Sequence, residues 1–359
     1  MEKRIKILCV VGARPNFVKI APLLKEIKKY RQIKPILVHT DQHYDFEMSQ
    51  VFFQQLKIAK PDYNLNVGSG SHAWQTAKIM EKLEPVVLKE KPNLVIVVGD
   101  VNSTLAGALV AAKLDTPIAH IEAGLRSFDM TMPEEINRHL TDHISDFLFC
   151  PTKTAVENLK KEGIKKGVYN AGDVMYDTFQ KFQKLALSQI EGSKILKRFN
   201  LEPKDYLLLT LHRPANVDNL NNLKKILEAI QESGEKTVFP IHPRTRKQLK
   251  KLKIENCKLK IVNPVGYLDM LYLEKNAKKI LTDSGGVQKE AYWLKVPCIT
   301  LRKETEWVET VKNGWNVLVG TNKEKIIRAV KNFNPKRKQQ KHFGSGRSAK
   351  KIVKILIDS

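Results

Sequence analysis

Leu281-Thr282-Asp283-Ser284-Gly285-Gly286-Val287-Gln288-Lys289-Glu290 reads as the end of a buried strand, a Ser-Gly-Gly turn and the opening of a helix. Without Cβ atoms, Gly285 and Gly286 let an anion approach the backbone, where the free N–H groups and dipole of a helix start favour phosphate. Ser284 adds a hydroxyl, and Glu290, further along the helix, can accept two hydrogen bonds from a ribose diol. A strand feeding such a turn is the repeating unit of an open parallel sheet.

The flanking sequence repeats that unit. Short β-rich runs at 206–212, 236–242, 259–264, 279–283 and 297–302 alternate with helical patterns, as βαβ units do. The same alternation fills the first half, with strands expected at 5–11, 34–40, 94–99, 117–122 and 147–151. Between them, FVKIAPLLKEIKKY (17–30) and TLAGALVAAKL (104–114) carry apolar residues at helical spacing. The pattern restarts after GVYNAGDV (167–174), and a long polar helix is expected over roughly 176–198. The fold class is therefore α/β, with two Rossmann-like doubly wound domains facing a cleft. We assign residues 1–170 to the first, 171–345 to the second, and 346–359 to a terminal helix that packs back on the first. NPKRKQQKHFGSG (334–346) reads as a polar, basic linker.

A chain of 359 residues fits two domains, and 42% hydrophobic with 28% charged residues fits a soluble protein with ample core. The opening MEKRIKILCVVGARP runs into an Arg-Pro turn with no small-residue cleavage site, so it reads as a buried strand and not a signal peptide. Cytoplasmic residence without membrane insertion is expected. Cys9, Cys150, Cys257 and Cys298 are scattered in or beside apolar runs and suggest neither disulfides nor zinc. The net charge of +24 comes from lysines dispersed along helices, with no aromatic-basic module. It fits a solvated basic surface helped by a small anionic substrate better than nucleic-acid binding.

Ligands of open α/β sheets bind beyond the carboxyl ends of the strands. Polar residues cluster there in this chain. Arg14 and Lys19 follow the first strand; Asp100 follows four apolar residues, a position that desolvates a carboxyl and suits it to proton transfer. Asp100 is alternatively a helix cap, a role Asn102 or Ser103 would also fill. Glu122 closes the next strand, and Glu134 and Glu135 open a helix after Pro133, where the dipole alone would favour acids. In the second half, His212 with Arg213 and His242 with Arg244 end successive strands, and Arg302 ends another. Neither histidine segment has HxxxH or HExxH spacing, so no metal is expected. Gly68-Ser69-Gly70-Ser71-His72-Ala73 fits GxGxxA but follows a polar stretch, and no GxxxxGK[ST] occurs, so neither a nicotinamide site nor a P-loop is read.

GARPNFVKIAPL, HTDQHYDFEM, VVGDVNSTLAGALVAAKL, HIEAGLRSFDMTMPEEINRHLTDHISD, TLHRPANVDN, IHPRT, PVGYLDML and LTDSGGVQKEA, in this order, resemble the non-hydrolysing UDP-N-acetylglucosamine 2-epimerases over essentially the whole chain. The resemblance implies a GT-B-like pair of domains, a homodimer and a reaction without metal or NAD that supplies a surface-polysaccharide precursor. A base removes the C2 proton, UDP leaves C1, and UDP re-adds to the 2-acetamidoglucal after protonation on the opposite face. Carried over by motif, Asp100, Glu122, Glu134, His212 and Lys19 are the catalytic group. Arg14, Arg213, His242, Ser284, Gly285, Gly286, Glu290 and Arg302 bind the substrate, a UDP-linked N-acetylated sugar.

There are departures. The family commonly has TERPE where this chain has Thr305-Glu306-Trp307-Val308-Glu309, and often an acid where Lys289 stands. Trp74-Gln75-Thr76 replaces the Arg-Gln-Thr of members that UDP-GlcNAc activates. ETEWVE and GVQKEA also resemble the branch acting on UDP-2,3-diacetamido-2,3-dideoxy-glucuronate, which makes that sugar the alternative to UDP-GlcNAc. A GT-B glycosyltransferase or a silent UDP-sugar sensor would share the architecture. The former requires fewer strand-end carboxylates in its first half, and the latter binds without turnover.

Overall fold

The structure, a computed structural model, describes residues 4–42, 59–186, 189–241, 243–252 and 259–359. The chain divides into two compact units, one of residues 1–180 with 341–359 and one of residues 181–340.

The first unit is a seven-stranded sheet of order β3-β2-β1-β4-β5-β6-β7. Its strands are β1 (Ile5–Val11), β2 (Ile33–His39), β3 (Tyr63–Asn64), β4 (Leu94–Val98), β5 (Ile118–Ile121), β6 (Phe147–Cys150) and β7 (Val168–Asn170). Every pair is parallel, with Val10 opposite Val97 at the centre. The helices are α1 (Arg14–Ile27), α2 (His72–Glu90), α3 (Asn102–Lys113), α4 (Pro133–His143), α5 (Lys153–Lys161) and α6 (Val174–Ala186). One face of the sheet buries Leu8, Val10, Val95 and Val97 against Ile79 and Leu83 of α2 and Ala106 and Val110 of α3. Gly107 lets α3 lie close, because a Cβ there would stand 3.0 Å from Val97. Each large aliphatic side chain buried contributes about 1.5–3 kcal/mol, more than any single helix cap at about 1 kcal/mol, so this face sets the fold.

The second unit has α7 (Gln189–Arg198), then a six-stranded parallel sheet of order β10-β9-β8-β11-β12-β13. Its strands are β8 (Leu207–Thr210), β9 (Thr237–Pro240), β10 (Leu259–Val262), β11 (Lys279–Thr282), β12 (Cys298–Thr300) and β13 (Asn316–Leu318). The helices after β8 are α8 (Pro214–Val217), α9 (Leu220–Ser233), α10 (Pro243–Leu252), α11 (Tyr267–Asn276), α12 (Gly285–Leu294), α13 (Val308–Lys312) and α14 (Lys323–Asn332). Leu207, Leu209, Phe239, Leu281 and Ile299 pack under Leu223 and Ile226 of α9 and Ile326 and Val330 of α14.

Three elements differ from the sequence reading. The stretch expected as one helix over 176–198 is covered by α6 and α7. The short strands β3, β7 and β13 carry too few residues to show alternation. The basic run from 334 is pinned rather than loose: Trp315 Nε1 donates to Arg337 O at 2.8 Å, and Gln340 N donates to the Tyr292 hydroxyl at 2.9 Å. The terminal helix α15 (Ser348–Asp358) packs on α1, and its first N–H groups, from Ser348 and Ala349, donate to the Asp177 carboxylate at 3.0 and 2.8 Å.

No helix among the described residues is long and apolar enough to cross a membrane. Cys9, Cys150 and Cys298 are buried free thiols, and burial pushes each up, Cys9 and Cys298 to about 12. Cys257 lies outside the described residues.

Candidate active site

Strand order reverses between β1 and β4 in the first unit and between β8 and β11 in the second, and the candidate residues gather at those two points.

In the first unit, Asn16 joins the two strand ends. Its amide oxygen accepts from Gly12 N and Ala13 N at 3.1 Å, and its Nδ2 donates to Val98 O at 2.9 Å. One turn further along α1, the Lys19 ammonium is ion-paired and hydrogen-bonded to Glu122 Oε2, and both side chains are nearly buried. Gly99 makes room for the pair: at φ +72°, a Cβ there would stand 3.0 Å from Lys19 Nζ and 3.5 Å from Glu122 Oε2. Glu122 itself sits at φ +77°. A side chain in that region costs about 1–3 kcal/mol, strain of the kind that clusters at functional sites.

Asp100 is partly desolvated, as its position after a buried strand suggests, but it is also paired with a cation. Its Oδ2 accepts from Arg138 Nη2 at 2.6 Å and Nε at 3.0 Å, and a quarter of its side chain is exposed. It does not cap α3: the N-cap is Val101, with no side-chain bond. Asn102 and Ser103 do not cap either. Their side chains join Gln75 and Thr40, at 2.8 and 2.7 Å, in a polar layer below the strand ends. Glu134 and Glu135 separate cleanly. Glu135 is buried and clasped by Ser127 N, Phe128 N and Arg138, while half-buried Glu134 stands on the first turn of α4. Desolvation acts against the charged Glu135, but those donors and Arg138 outweigh it and hold its carboxyl below the usual range.

Behind them runs a buried relay that sequence reading missed. His120 bonds Gly99 O through Nε2 at 2.8 Å and Asp142 through Nδ1 at 2.7 Å. Arg126 joins Asp142 at 2.7 Å and holds Glu162 with two bonds of 2.7 Å. The signal lay within the quoted block HIEAGLRSFDMTMPEEINRHLTDHISD, whose His-Asp-Arg content was read for its acids alone. His139-Leu140-Thr141-Asp142-His143 in the same block is an HxxxH on α4.

In the second unit, Asp283, fully buried after β11, ties the strand ends together. It accepts from His212 N, Arg213 N and Asn216 Nδ2, each at 3.1 Å to its nearer oxygen. The His212 ring is 44% exposed, with Nδ1 3.3 Å from Asp283 Oδ1. Ser284 is the N-cap of α12, yet its side chain caps none of the helix's first N–H groups. Gly285 is required sterically, since a Cβ would stand 2.4 Å from Glu306 Oε1 and 2.9 Å from Trp307 Nε1. Gly286 follows it, half-buried. That end of the helix has the geometry of an anion site.

Arg302, expected among the substrate-binding residues, is buried with its Nε 3.3 Å from Glu304 and its Nη2 3.0 Å from Glu306. Glu290 is buried on α12 beside Glu274, which is fully buried on α11. Burial first, then the charge of Glu290, pushes the Glu274 carboxyl well above its usual range. The departures at Lys289 and Trp307 are one contact, because the buried Lys289 ammonium lies 3.9 Å from the Trp307 ring centroid. The contact is an ammonium over the face of an indole, a cation–π arrangement. Arg14 opens α1, but its side chain, and His242 as a whole, lie outside the described residues.

A family model for UDP-N-acetylglucosamine 2-epimerase matches residues 25–357. The chain is 58% identical to a UDP-N-acetylglucosamine 2-epimerase homolog of Methanococcus maripaludis, covering 98% of this chain and 99% of that one. It is 45% identical to the UDP-2,3-diacetamido-2,3-dideoxy-D-glucuronate 2-epimerase of Pseudomonas aeruginosa, again over 98% and 99% of the two chains. The crystal structure of the Methanocaldococcus jannaschii UDP-GlcNAc 2-epimerase in complex with UDP-GlcNAc and UDP superposes with a TM-score of 0.93 at 49% identity, covering 99% of this chain and 100% of that one. With a family model over residues 25–357 and matches along almost the whole chain, the chain belongs to the UDP-N-acetylglucosamine 2-epimerase family and is an epimerase.

Proposed function

We propose that the protein interconverts UDP-GlcNAc and UDP-ManNAc, acting as a homodimer in the cytoplasm on a surface-polysaccharide precursor. The observation that carries the chemistry is a pair of carboxylates, Asp100 and Glu122, at the ends of adjacent strands, each held by its own cation, Arg138 and Lys19. The substrate is supported by the 49% identical Methanocaldococcus jannaschii enzyme, whose structure contains UDP-GlcNAc.

In this reading a carboxylate of the group Asp100, Glu122 and Glu134 takes the C2 proton. The C1–oxygen bond to UDP breaks, the electron pair of the C2–H bond becomes the C1–C2 double bond, and 2-acetamidoglucal forms. UDP then re-adds at C1 while an acid of the same group, or His212, returns a proton to the opposite face of C2. The leaving diphosphate gathers negative charge, which Lys19, Arg14, Arg213, Ser284 and the first N–H groups of α12 stabilise. His242 and Arg302 complete the binding set, and Glu290 accepts from the ribose.

The 45% identical Pseudomonas aeruginosa relative and the Lys289–Trp307 contact favour the diacetamido-glucuronate as the second reading. One experiment separates the two. The protein is incubated in D2O with each UDP-sugar alone, and C2 is followed by NMR. Deuterium at C2 and a second UDP-HexNAc species are expected with UDP-GlcNAc. UDP-GlcNAc left unchanged while the uronate exchanges would transfer the assignment to the uronate. Binding of both without exchange would leave a sensor. Sedimentation of the same sample distinguishes dimer from monomer.

A further inference from the structure

The geometry points to a second site on the first unit, for a divalent transition-metal ion, formed by His139 and His143 of α4 with Glu162 at the end of α5. One ligand atom from each lies within 4.8 Å of the other two. A tetrahedral zinc ion with bonds of about 2.0–2.1 Å sets its ligands about 3.4 Å apart. Small rotations of the exposed His143 and part-exposed His139 rings toward the fixed Glu162 carboxylate would close that difference.

Each ligand is already prepared. The histidines are i and i+4 on one helix, so they share a face, and their rings stack with centroids 6.5 Å apart. The His143 Nδ1 is 2.8 Å from His139 O, a carbonyl that can only accept. That bond fixes the tautomer and leaves the Nε2 lone pair for a metal, the backbone-carbonyl support that metal-bound histidines commonly have. His139 Nδ1 is 3.5 Å from Glu162 Oε2. Glu162 is held by Arg126 through one bond to each carboxylate oxygen. Each oxygen keeps a further lone pair, so the carboxylate can ligate without releasing the arginine. Two imidazoles and one carboxylate leave a fourth position for water. They suit zinc, cobalt or nickel, and not magnesium or calcium, which require oxygen ligands. The site uses none of the residues assigned to the epimerase reaction, so it stands or falls apart from that assignment.

The test is titration of the chelator-stripped, full-length protein with Co2+, read by its visible ligand-field bands, followed by displacement with Zn2+. One ion per chain is expected, displaced by Zn2+ and not by excess Mg2+. His139→Ala and His143→Ala should each weaken binding more than tenfold, and Glu162→Gln should weaken it less. His342→Ala, elsewhere on the unit, serves as the control and should bind as the parent does. Because the same rings could simply support α4, the metal-free melting of each variant is compared with the parent. His143→Gln, which keeps a polar group at the exposed helix end, is included for the case in which His143→Ala unfolds. Binding unaltered by the histidine substitutions, or no saturable binding at about 100 µM metal, overturns the site.

Discussion

The two points where strand order reverses are built from opposite materials. In the first unit nearly every group at the strand ends is a side-chain charge that meets another charge: Lys19 with Glu122, Arg138 with Asp100 and Glu135, Arg126 with Asp142 and Glu162. In the second unit one buried carboxylate, Asp283, gathers backbone N–H groups, and the first turn of α12 opens on glycine and main chain. Both solutions meet the cost of polar groups near an apolar sheet. Side-chain carboxylates set among cations can accept and return protons; main-chain N–H groups can hold a phosphate but exchange no proton, which in the second unit leaves that chemistry to a side chain such as His212. The division of labour we propose rests on that difference in chemistry.

The strongest way to break this comparison is to neutralise one charge of the first unit. Glu122→Gln keeps the shape of the side chain but removes the anion facing Lys19. General acid–base groups are worth about 10²–10⁴-fold in rate. We expect C2 deuterium exchange to fall by about 10³-fold, with the affinity for UDP changed less than about threefold. Exchange rates and UDP titration calorimetry measure the two quantities. Full exchange in the variant would remove Glu122 from proton transfer and leave its ion pair a packing device.

Sequence reading found the sheets because apolar runs, glycine turns and helical spacing are local signals. It also found most strand-end residues, since a position just past a buried run is local too. It did not find what each residue touches. Lys19 and Glu122 are 103 positions apart, and Lys6 and Asn93, joined at the start of β1, are 87 apart. It therefore gave Asp100 a partly desolvated setting but not its partner, Arg138, 38 positions away. It likewise placed Arg302 at a strand end without showing that Glu304 and Glu306, two and four residues on, meet its guanidinium. Two-residue strands such as β3 are invisible to periodicity for a simpler reason: alternation cannot be seen in two residues.

A smaller effect sharpens the second half of the comparison. If α12 binds through its main chain, filling the space at Gly285 should harm binding more than chemistry. In Gly285→Ala the new Cβ meets the end of Glu306, which is tied to Arg302, and the rigid Trp307 indole, so neither neighbour yields freely. The expected result is a UDP affinity about tenfold weaker, a KM raised to match, and kcat at saturating substrate within about threefold of the parent. A fall in kcat at unchanged KM would mean that the space at Gly285 serves the chemical step and not the binding of UDP.

The smallest expected effect concerns a carboxyl in that unit whose titration is shifted by burial and by a neighbouring carboxyl. Glu274 is raised by burial first and then by the charge of Glu290. Below the ordinary glutamate range both the folded and unfolded chains carry its proton, and burial costs no ionisation. As pH rises past that range the unfolded chain releases the proton while the folded chain keeps it. Stability then falls with pH until the folded group titrates, at a slope of at most about 1.4 kcal/mol per pH unit. Glu274→Gln keeps the shape and a hydrogen-bond donor but cannot ionise. Urea unfolding of the parent and the variant at a series of pH values from 5 to 8 should therefore give a shallower decline for the variant, the two curves separating as pH rises. Parallel curves would show that Glu274 ionises as it does in the unfolded chain. The buried setting of Glu290 would then have to be explained without a protonated neighbour.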